Sequence, residues 1–324
     1  MLLNFPTAPI MFFGGKGGVG KTTVANATAL KLSPHASTLV VSTDPAHNVG
    51  HLWDKKVDDS PTRVRDGIDI LELDPARATE EHLKHAGDTM RRMMPEHLHK
   101  EVTKHLNLSR QSPGTHEAAM LERIATIIED YEDTYDHIIF DTAPSGHTSR
   151  LMALPELMSA WTDGLLERRA KSEKFSDLVR GLTPTGKDTT VTTAEDPVDR
   201  RNQELRSILL KRRRRFERLR TVLTDATACQ FHIVLTAERL PVLETDEFYQ
   251  ELHSNGVHVG ALIVNRRSPA DQGEFLASRR KYEDEALADL HRRLPDLEVI
   301  EIPLRPNDVG SPQALEAIAD YLAQ

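Results

Sequence analysis

The chain has 324 residues, of which 39% are hydrophobic and 28% are charged, a composition typical of a globular protein with a sizeable core. Its formal net charge of −9 argues against nucleic acid as the main partner. No apolar run approaches the roughly 20 residues that cross a bilayer. The single cysteine, Cys229, excludes an intrachain disulfide and a CxxC metal site. We expect no signal peptide and a cytoplasmic location.

Short apolar segments rich in β-branched residues recur along the chain, most of them separated by helical stretches. They cover residues 10–15, 38–44, 68–74, 137–144, 231–238, 260–265 and 297–303. Continuous apolar strands that alternate with helices predict an α/β fold, in which a mostly parallel sheet is flanked by helices. Such sheets bind ligands at the carboxyl ends of their strands, and the polar clusters of this sequence lie at those ends.

Two long segments, residues 76–130 and 148–228, show no strand pattern. We expect them to be helical insertions that form a subdomain within a single domain spanning residues 1–324. Pro95 is expected to kink or restart the first helix of the insertions. Around it, apolar residues recur every four positions and predict a stripe on one helix face, formed by Met90, Met94, Leu98, Val102 and Leu106.

The second insertion contains two stretches of unusual composition. Residues 181–202 are rich in Thr, Asp and Pro and predict a mobile loop. The basic cluster KRRRRFERLR at 211–220 is interpreted as the solvated face of a long helix. A surface for an acidic or membrane partner is the alternative interpretation of this cluster.

The sequence GGKGGVGKTT at 14–23 follows the first predicted strand and precedes a predicted helix. It matches the phosphate-binding pattern G-x-x-x-x-G-K-[ST], in which backbone N–H groups and a helix N-terminus attract phosphate. In this pattern Lys21 reaches the β- and γ-phosphates, and the Thr22 hydroxyl ligates Mg²⁺. We therefore predict an ATPase that uses ATP and Mg²⁺. The expected ATP-binding residues of the loop are Gly14, Gly15, Lys16, Gly17, Gly18, Val19, Gly20, Lys21, Thr22 and Thr23.

Two further strand ends predict the rest of the catalytic centre. Asp141, in HIIFDTAPSGHT, ends an apolar strand and suits a second Mg²⁺ ligand. Asp44, in VVSTDPAHN, is placed to orient or deprotonate the attacking water, and His47 and His147 are alternatives for that base. The loops beyond these strands are expected to switch with the nucleotide state. Their predicted residues are Asp44, Pro45, His47, Thr142, Pro144, Gly146 and His147.

The motifs KGGVGKTT, STDPAHN and DTAPSGHT together resemble the deviant Walker A ATPases of the arsenical pump-driving and tail-anchored-protein targeting family. TAERLPVLET, LIVNR and IPLRPNDVGSPQAL resemble further motifs of this family, in the same order and over nearly the whole chain. The resemblance implies that Glu238 touches bound nucleotide, that Asn265 reads the adenine, and that Pro303 belongs to the adenine-pocket loop. The family has two nucleotide-binding halves that face each other, so one half per chain implies a homodimer.

The resemblance also explains why the loop contains a second lysine, Lys16. A lysine at this position in the family crosses the dimer interface to the phosphates held by the other subunit. It would act as an arginine finger does, supplying a cation to the transition state only when two subunits meet. We therefore expect Lys16, Lys21 and Asp44 to act in catalysis. A solvated loop lysine is the alternative interpretation of Lys16.

The sequence lacks cysteines that members of the family use. No CxxC follows Asn265, so the zinc clamp that joins the dimers of the targeting ATPases cannot form, and no zinc is expected. Arsenite pumps bind As(III) through several thiolates, and only Cys229 is available here. The targeting members bind a transmembrane helix in a Met-rich groove, and packing between helices is the alternative role for such residues. The candidate groove residues are Met90, Met94, Met158 and Trp161.

Three functions are consistent with these motifs. The first is a homodimeric ATPase coupled to arsenite or anion efflux through a membrane channel or permease, which would place the protein at the membrane periphery. The second is a chaperone that delivers hydrophobic, tail-anchored membrane-protein segments. The third, a partition or positioning ATPase, is less favoured because of the long helical insertions and the adenine-loop motifs.

Overall fold

The computed structural model describes residues 3–44, 48–93, 96–110, 114–143, 197–306 and 310–323. Its strands are β1 (Ile10–Gly14), β2 (Thr38–Ser42), β3 (Thr62–Arg65), β4 (Ile68–Glu72), β5 (His137–Asp141), β6 (Cys229–Thr236), β7 (Val259–Arg267) and β8 (Glu298–Pro303). Its helices are α1 (Lys21–Leu32), α2 (Asn48–Leu52), α3 (Pro75–Met93), α4 (His99–Ser109), α5 (Thr115–Tyr131), α6 (Pro197–Thr224), α7 (Arg239–Ser254), α8 (Glu274–Arg293) and α9 (Pro312–Tyr321).

The eight strands form one sheet in the order β3-β4-β2-β5-β1-β6-β7-β8. All neighbouring strands are parallel except β3 and β4, which pair in antiparallel fashion. The predicted α/β fold is confirmed, and each predicted strand is present. The sequence analysis missed β3, because its four residues TRVR alternate between half-buried and exposed positions at the sheet edge and form no apolar run.

The apolar residues of the strands fill two cores, one on each face of the sheet. In β1, Ile10 and Phe12 face the core beneath α5 to α8, whereas Met11 and Phe13 face the core beneath α1, α2 and α9. Phe12 stacks on Phe140 of the neighbouring β5, with ring centroids 4.6 Å apart. Burying each such side chain contributes about 1.5–3 kcal/mol. The central strands are thereby fixed, and with them the loops at their carboxyl ends.

The first insertion is helical where it is described, but it is not one continuous helix. α3 ends at Met93, and α4 begins at His99 after a single 3₁₀ turn at Glu96–Leu98. Pro95 and Met94 lie outside the described residues. The predicted stripe is therefore divided between two helices: Val102 is buried, whereas Leu98 is 37% exposed.

The prediction of a loop over residues 181–202 is wrong for the C-terminal part of that range. Residues 197–202 belong to α6, and Pro197 occupies its first position, where a helix needs no backbone N–H donor. Residues 181–196 lie outside the described part of the chain. None of the described helices is both long and apolar enough to span a membrane.

The basic cluster on α6 binds the neighbouring helix α5. Arginines at every third position reach glutamates on α5 or directly after its end, which shows that the cluster is only in part a solvated face. Two of these arginine side chains are only 19% and 23% exposed. The cluster therefore finds its acidic partner within the same chain. The pairs are Arg212–Glu122, Arg215–Glu129 and Arg218–Glu132.

Candidate nucleotide-binding site

The phosphate loop lies between β1 and α1 and packs closely against β6 and β7. Gly15 and Gly20 adopt φ angles of +142° and +99°, which favour glycine. A Cβ atom on Gly15 would lie 2.1 Å from the carbonyl oxygen of Val234, and one on Gly20 would lie 2.3 Å from Nδ2 of Asn265. Because α1 begins at Lys21, its N-terminus adds positive potential directly beside the loop.

Lys21 is held inside the loop. Only 5% of the residue is exposed, and its Nζ donates to the carbonyl oxygen of Lys16 at 3.0 Å. Burial lowers the pKa of Lys21, while the negative charges of Asp141 and Asp44 oppose that shift. A desolvated amine beside backbone N–H groups suits a phosphate, whose charge would take the place of the carbonyl contact.

Thr22 and Asp141 are brought together as predicted. The Thr22 hydroxyl donates to Oδ2 of Asp141 at 2.6 Å, which joins the first turn of α1 to the end of β5. Asp141 is fully buried, and burial raises its pKa to about 7; the hydrogen bond from Thr22 and the charge of Lys21 limit the shift, and Asp44 adds to it. Such a carboxylate is charged more readily beside a cation.

The donor set of this pair fits Mg²⁺. Oδ1 of Asp141 is buried and has no hydrogen-bond partner among the described residues. A carboxylate oxygen and a hydroxyl are hard ligands, and Mg²⁺ normally completes its shell with waters and phosphate oxygens. The described residues contain no group of three or more His, Cys, Asp and Glu that could hold a metal. The expectation that no zinc is bound stays a prediction.

The two predicted switch segments leave the sheet side by side. The backbone N–H of Thr43 donates to the carbonyl oxygen of Asp141 at 2.9 Å, and the Thr142 hydroxyl donates to that of Phe13 at 2.9 Å. Asp44 follows Thr43, is half-buried, and lies within electrostatic range of Lys21. The geometry therefore places Asp44 near the loop, and its role in orienting water stays a prediction. The predicted switch residues outside the described part of the chain are Pro45, His47, Pro144, Gly146 and His147.

A buried link between α1 and α2 was missed by the sequence analysis. The Asn26 amide donates to the carbonyl oxygen of Thr22 at 2.8 Å and accepts from Nε1 of Trp53 at 2.8 Å. Glu72 accepts from the backbone N–H of Gly50 at 2.9 Å. Helix α2 directly follows the first switch loop, so these contacts tie that loop to the residue expected to bind Mg²⁺. The four-residue spacing from Thr22 to Asn26 was the available signal.

The residues expected to bind adenine lie at the carboxyl ends of β6, β7 and β8. Asn265 is buried; its amide donates to the carbonyl oxygen of Val19 at 2.9 Å, and its Oδ1 accepts from the backbone N–H of Arg266 at 2.9 Å. Asn265 therefore supports the phosphate loop directly. Glu238 precedes α7, and Pro303 ends β8. The structure brings these residues to one edge of the sheet.

A cavity of about 330 Å³ opens at this edge. Glu238 lines it and forms an ion pair with Arg279 at 2.7 Å, while Phe275 and Leu304 supply apolar surface. Asn265 does not line the cavity, since both ends of its amide are bound within the protein. The cavity combines apolar walls with a few polar groups, as small-molecule sites do.

The side chain of Lys16 lies at the rim of the phosphate loop and is bound outside it. Its Nζ donates to Oε1 of Glu244 on α7 at 2.7 Å, and its side chain is 45% exposed. Lys21 and Lys16 thus occupy different environments, one buried in the loop and one at its rim. Sequence reasoning missed Glu244, because 228 positions separate it from Lys16.

A buried arginine supports the ends of β7 and β8, where the residues expected to bind adenine lie. Arg267 is 1% exposed and bridges β7, β8 and α8 through three carboxylates. Removing one partner of such a network leaves an unpaired buried charge, so the network fixes the end of β7 that carries Asn265. The sequence offered no signal for it beyond an arginine in a strand. The three partners are Glu283, Asp284 and Glu301, at 2.8, 2.6 and 2.6 Å.

The predicted hydrophobic groove is described only at Met90, which is half-buried on α3. Met94, Met158 and Trp161 lie outside the described residues. The groove therefore stays a prediction. Cys229, the only thiol in the sequence, is buried at the start of β6, and burial raises its pKa.

The sequence is similar to those of known proteins. The model of the family described as anion-transporting ATPase matches residues 8–324. A protein of Aquifex aeolicus named for the arsenical pump-driving ATPases is 29% identical over 97% of this chain and 98% of its own length. The ATPase GET3 of Candida glabrata is 28% identical over 99% and 91%, and the arsenical pump-driving ATPase of Escherichia coli is 28% identical over 100% and 50%. The chain therefore belongs to the anion-transporting ATPase family and is an ATPase.

Proposed function

We propose that the protein works as a homodimer in which Mg²⁺-dependent ATP hydrolysis changes the relative position of the two subunits. The observation that carries this proposal is the different placement of the two loop lysines. Lys21 is buried within the loop, whereas Lys16 is half exposed and bound to Glu244. An exposed cation at the rim of a phosphate site is available to a second subunit, and hydrolysis would then depend on assembly.

Within each subunit the proposed roles follow from the contacts. The loop backbone and Lys21 bind the phosphates, and Thr22 with Asp141 would hold Mg²⁺. When bound, Mg²⁺ neutralises charge on the phosphate oxygens. Asp44 orients the attacking water, because it follows β2 beside the pair. Phosphoryl transfer needs this positioning and charge stabilisation more than covalent chemistry.

For the base, we propose the cavity lined by Glu238, Phe275 and Leu304. Its lining residue Arg266 directly follows Asn265 in β7. The amide of Asn265 presents both a donor and an acceptor, which suits an adenine edge. In the described structure one N–H of the amide donates to Val19 and its oxygen accepts one hydrogen bond from Arg266. The second N–H and the second lone pair of the amide are the groups that would contact adenine.

We propose that the cycle drives efflux of arsenite or a related anion through a separate membrane channel. The names of the Aquifex and Escherichia relatives support this output. A membrane-protein chaperone is the second candidate, supported by the similarity to the ATPase GET3 of Candida glabrata over 91% of that protein's length.

Turnover with and without sodium arsenite tests the efflux proposal. The efflux proposal predicts that arsenite raises the ATPase rate. Cys229→Ser should keep that response, because a thiol buried in the core is out of reach of arsenite. An unchanged rate at all arsenite concentrations would count against efflux. Copurification of a transmembrane segment with the dimer would favour the chaperone instead.

A further inference from the structure

Lys16 is bound by helix α7 of its own subunit. The pair with Glu244 joins the phosphate loop to α7, with 2.7 Å between Nζ and Oε1. The side chains are 45% and 38% exposed, so the pair lies at the rim, where water and a second molecule can reach it. Two residues separate the end of β6 from the start of α7, at the same sheet edge as the loop.

The carboxylate of Glu244 depends on this contact. Its second oxygen, Oε2, is buried and has no hydrogen-bond partner in the described part of the chain. A carboxylate oxygen withdrawn from water without a donor is unfavourable, and the ammonium charge of Lys16 offsets part of that cost. The pair is therefore better fixed than two freely solvated side chains would be.

The contact also neutralises the charge that Lys16 would carry to a phosphate. An ammonium group that stays 2.7 Å from a carboxylate presents almost no net charge to a third group. Lys16 can act as a transition-state cation only after it leaves Glu244. The resting contact and the proposed catalytic contact therefore compete for the same ammonium charge.

We propose that Glu244 is a positioning residue that holds Lys16 in its own subunit and so restrains hydrolysis until nucleotide and a second subunit compete for the lysine. The inference rests on the proposed dimeric function, since it assumes that Lys16 acts across the interface. A partly exposed ion pair of this kind shifts an equilibrium by about two- to fivefold. The ion pair therefore shifts the equilibrium toward separate subunits when no nucleotide is bound, and nucleotide binding overcomes this small shift.

The test is the ATPase rate measured over a range of protein concentrations. Glu244→Gln keeps the shape of the side chain and removes its charge. We expect it to lower the concentration that gives half-maximal turnover by about two- to fivefold, with maximal turnover per subunit unchanged. Glu247→Gln is the matched control, because Glu247 is an exposed glutamate on the same helix. Glu244→Asp should lie between the wild type and Glu244→Gln.

The outcomes separate this inference from the proposed function. If Glu244→Gln, Glu247→Gln and the wild type share one concentration curve and melt alike, the pair is an inert surface contact and the inference fails. If Glu244→Gln lowers maximal turnover, Glu244 assists Lys16 and the inference also fails. If Lys16→Ala keeps wild-type turnover, the dimeric mechanism itself fails. Adding Glu244→Gln to Lys16→Ala should change nothing.

Discussion

The buried side chain of His232 should make the stability of the protein depend on pH. It lies in β6 and is fully buried, with its ring 4.6 Å from that of Phe5 and 5.1 Å from that of Phe13. Neither ring nitrogen has a hydrogen-bond partner among the described residues. Burial lowers the pKa of His232 to about 3, because the charged imidazolium would lose its hydration without gaining a partner.

The size and sign of the effect follow from this shift. The folded protein keeps His232 neutral down to a pH near 3, whereas the unfolded chain binds a proton at an ordinary pKa of about 6.5. As the pH falls below about 6.5, protons favour the unfolded chain. At pH 5 the free energy of unfolding is lower by about 2 kcal/mol, because pH 5 lies 1.5 units below 6.5 and each unit corresponds to about 1.36 kcal/mol.

Denaturant unfolding of the wild type and of His232→Leu at pH 7 and pH 5 measures this effect. Leucine has no titrating group and removes two unpaired nitrogens, so we expect the free energies of unfolding to be similar at pH 7. At pH 5 the variant should have lost about 2 kcal/mol less than the wild type. The exposed His35, changed to Gln, is the control and should follow the wild type. Equal losses in the wild type and His232→Leu would refute this reasoning.

Three further predictions concern the site. Gly20→Ala should weaken binding of a fluorescent ATP analogue about tenfold, or about 1.4 kcal/mol, because its Cβ would lie 2.3 Å from the Asn265 amide. Gly18→Ala carries a similar backbone strain, at φ +79°, but its Cβ meets nothing within 4 Å, so it should lose less. Trp53→Phe leaves the Asn26 carbonyl unpaired and should cost about 1–3 kcal/mol in denaturant unfolding. Arg267→Met removes the buried cation that pairs with the buried carboxylate of Glu283 and should cost about 3–5 kcal/mol, seen as a lower melting temperature.

Much of the fold could be predicted, since its signals are local. Strands such as residues 10–15 and 260–265 are continuous apolar runs, which only a doubly covered sheet accommodates. The edge strand β3 was missed for the same reason: half of its residues face water. The start of α6 was misjudged because Thr, Asp and Pro are frequent both in loops and in the first turn of a helix.

Contacts within the candidate site were predictable only where two motifs end neighbouring strands. The contact between Thr22 and Asp141 follows from two motifs at neighbouring strand ends. The contact between Lys16 and Glu244 does not, since it depends on how α7 packs against the sheet. Likewise, nothing local indicates that the Asn265 amide supports the phosphate loop. Such pairings are decided by tertiary structure.

Mixing two inactive variants shows whether Lys16 acts across the subunit interface. Lys16→Ala lacks the cation, and Asp44→Asn lacks the group proposed to orient water. If Lys16 acts across the dimer, a mixed dimer contains one complete site, which combines Asp44 of the first variant with Lys16 of the second. An equal mixture should then recover about one quarter of wild-type turnover, because about half of the dimers are mixed and each has one working site of two. A mixture as inactive as its two components would contradict the account.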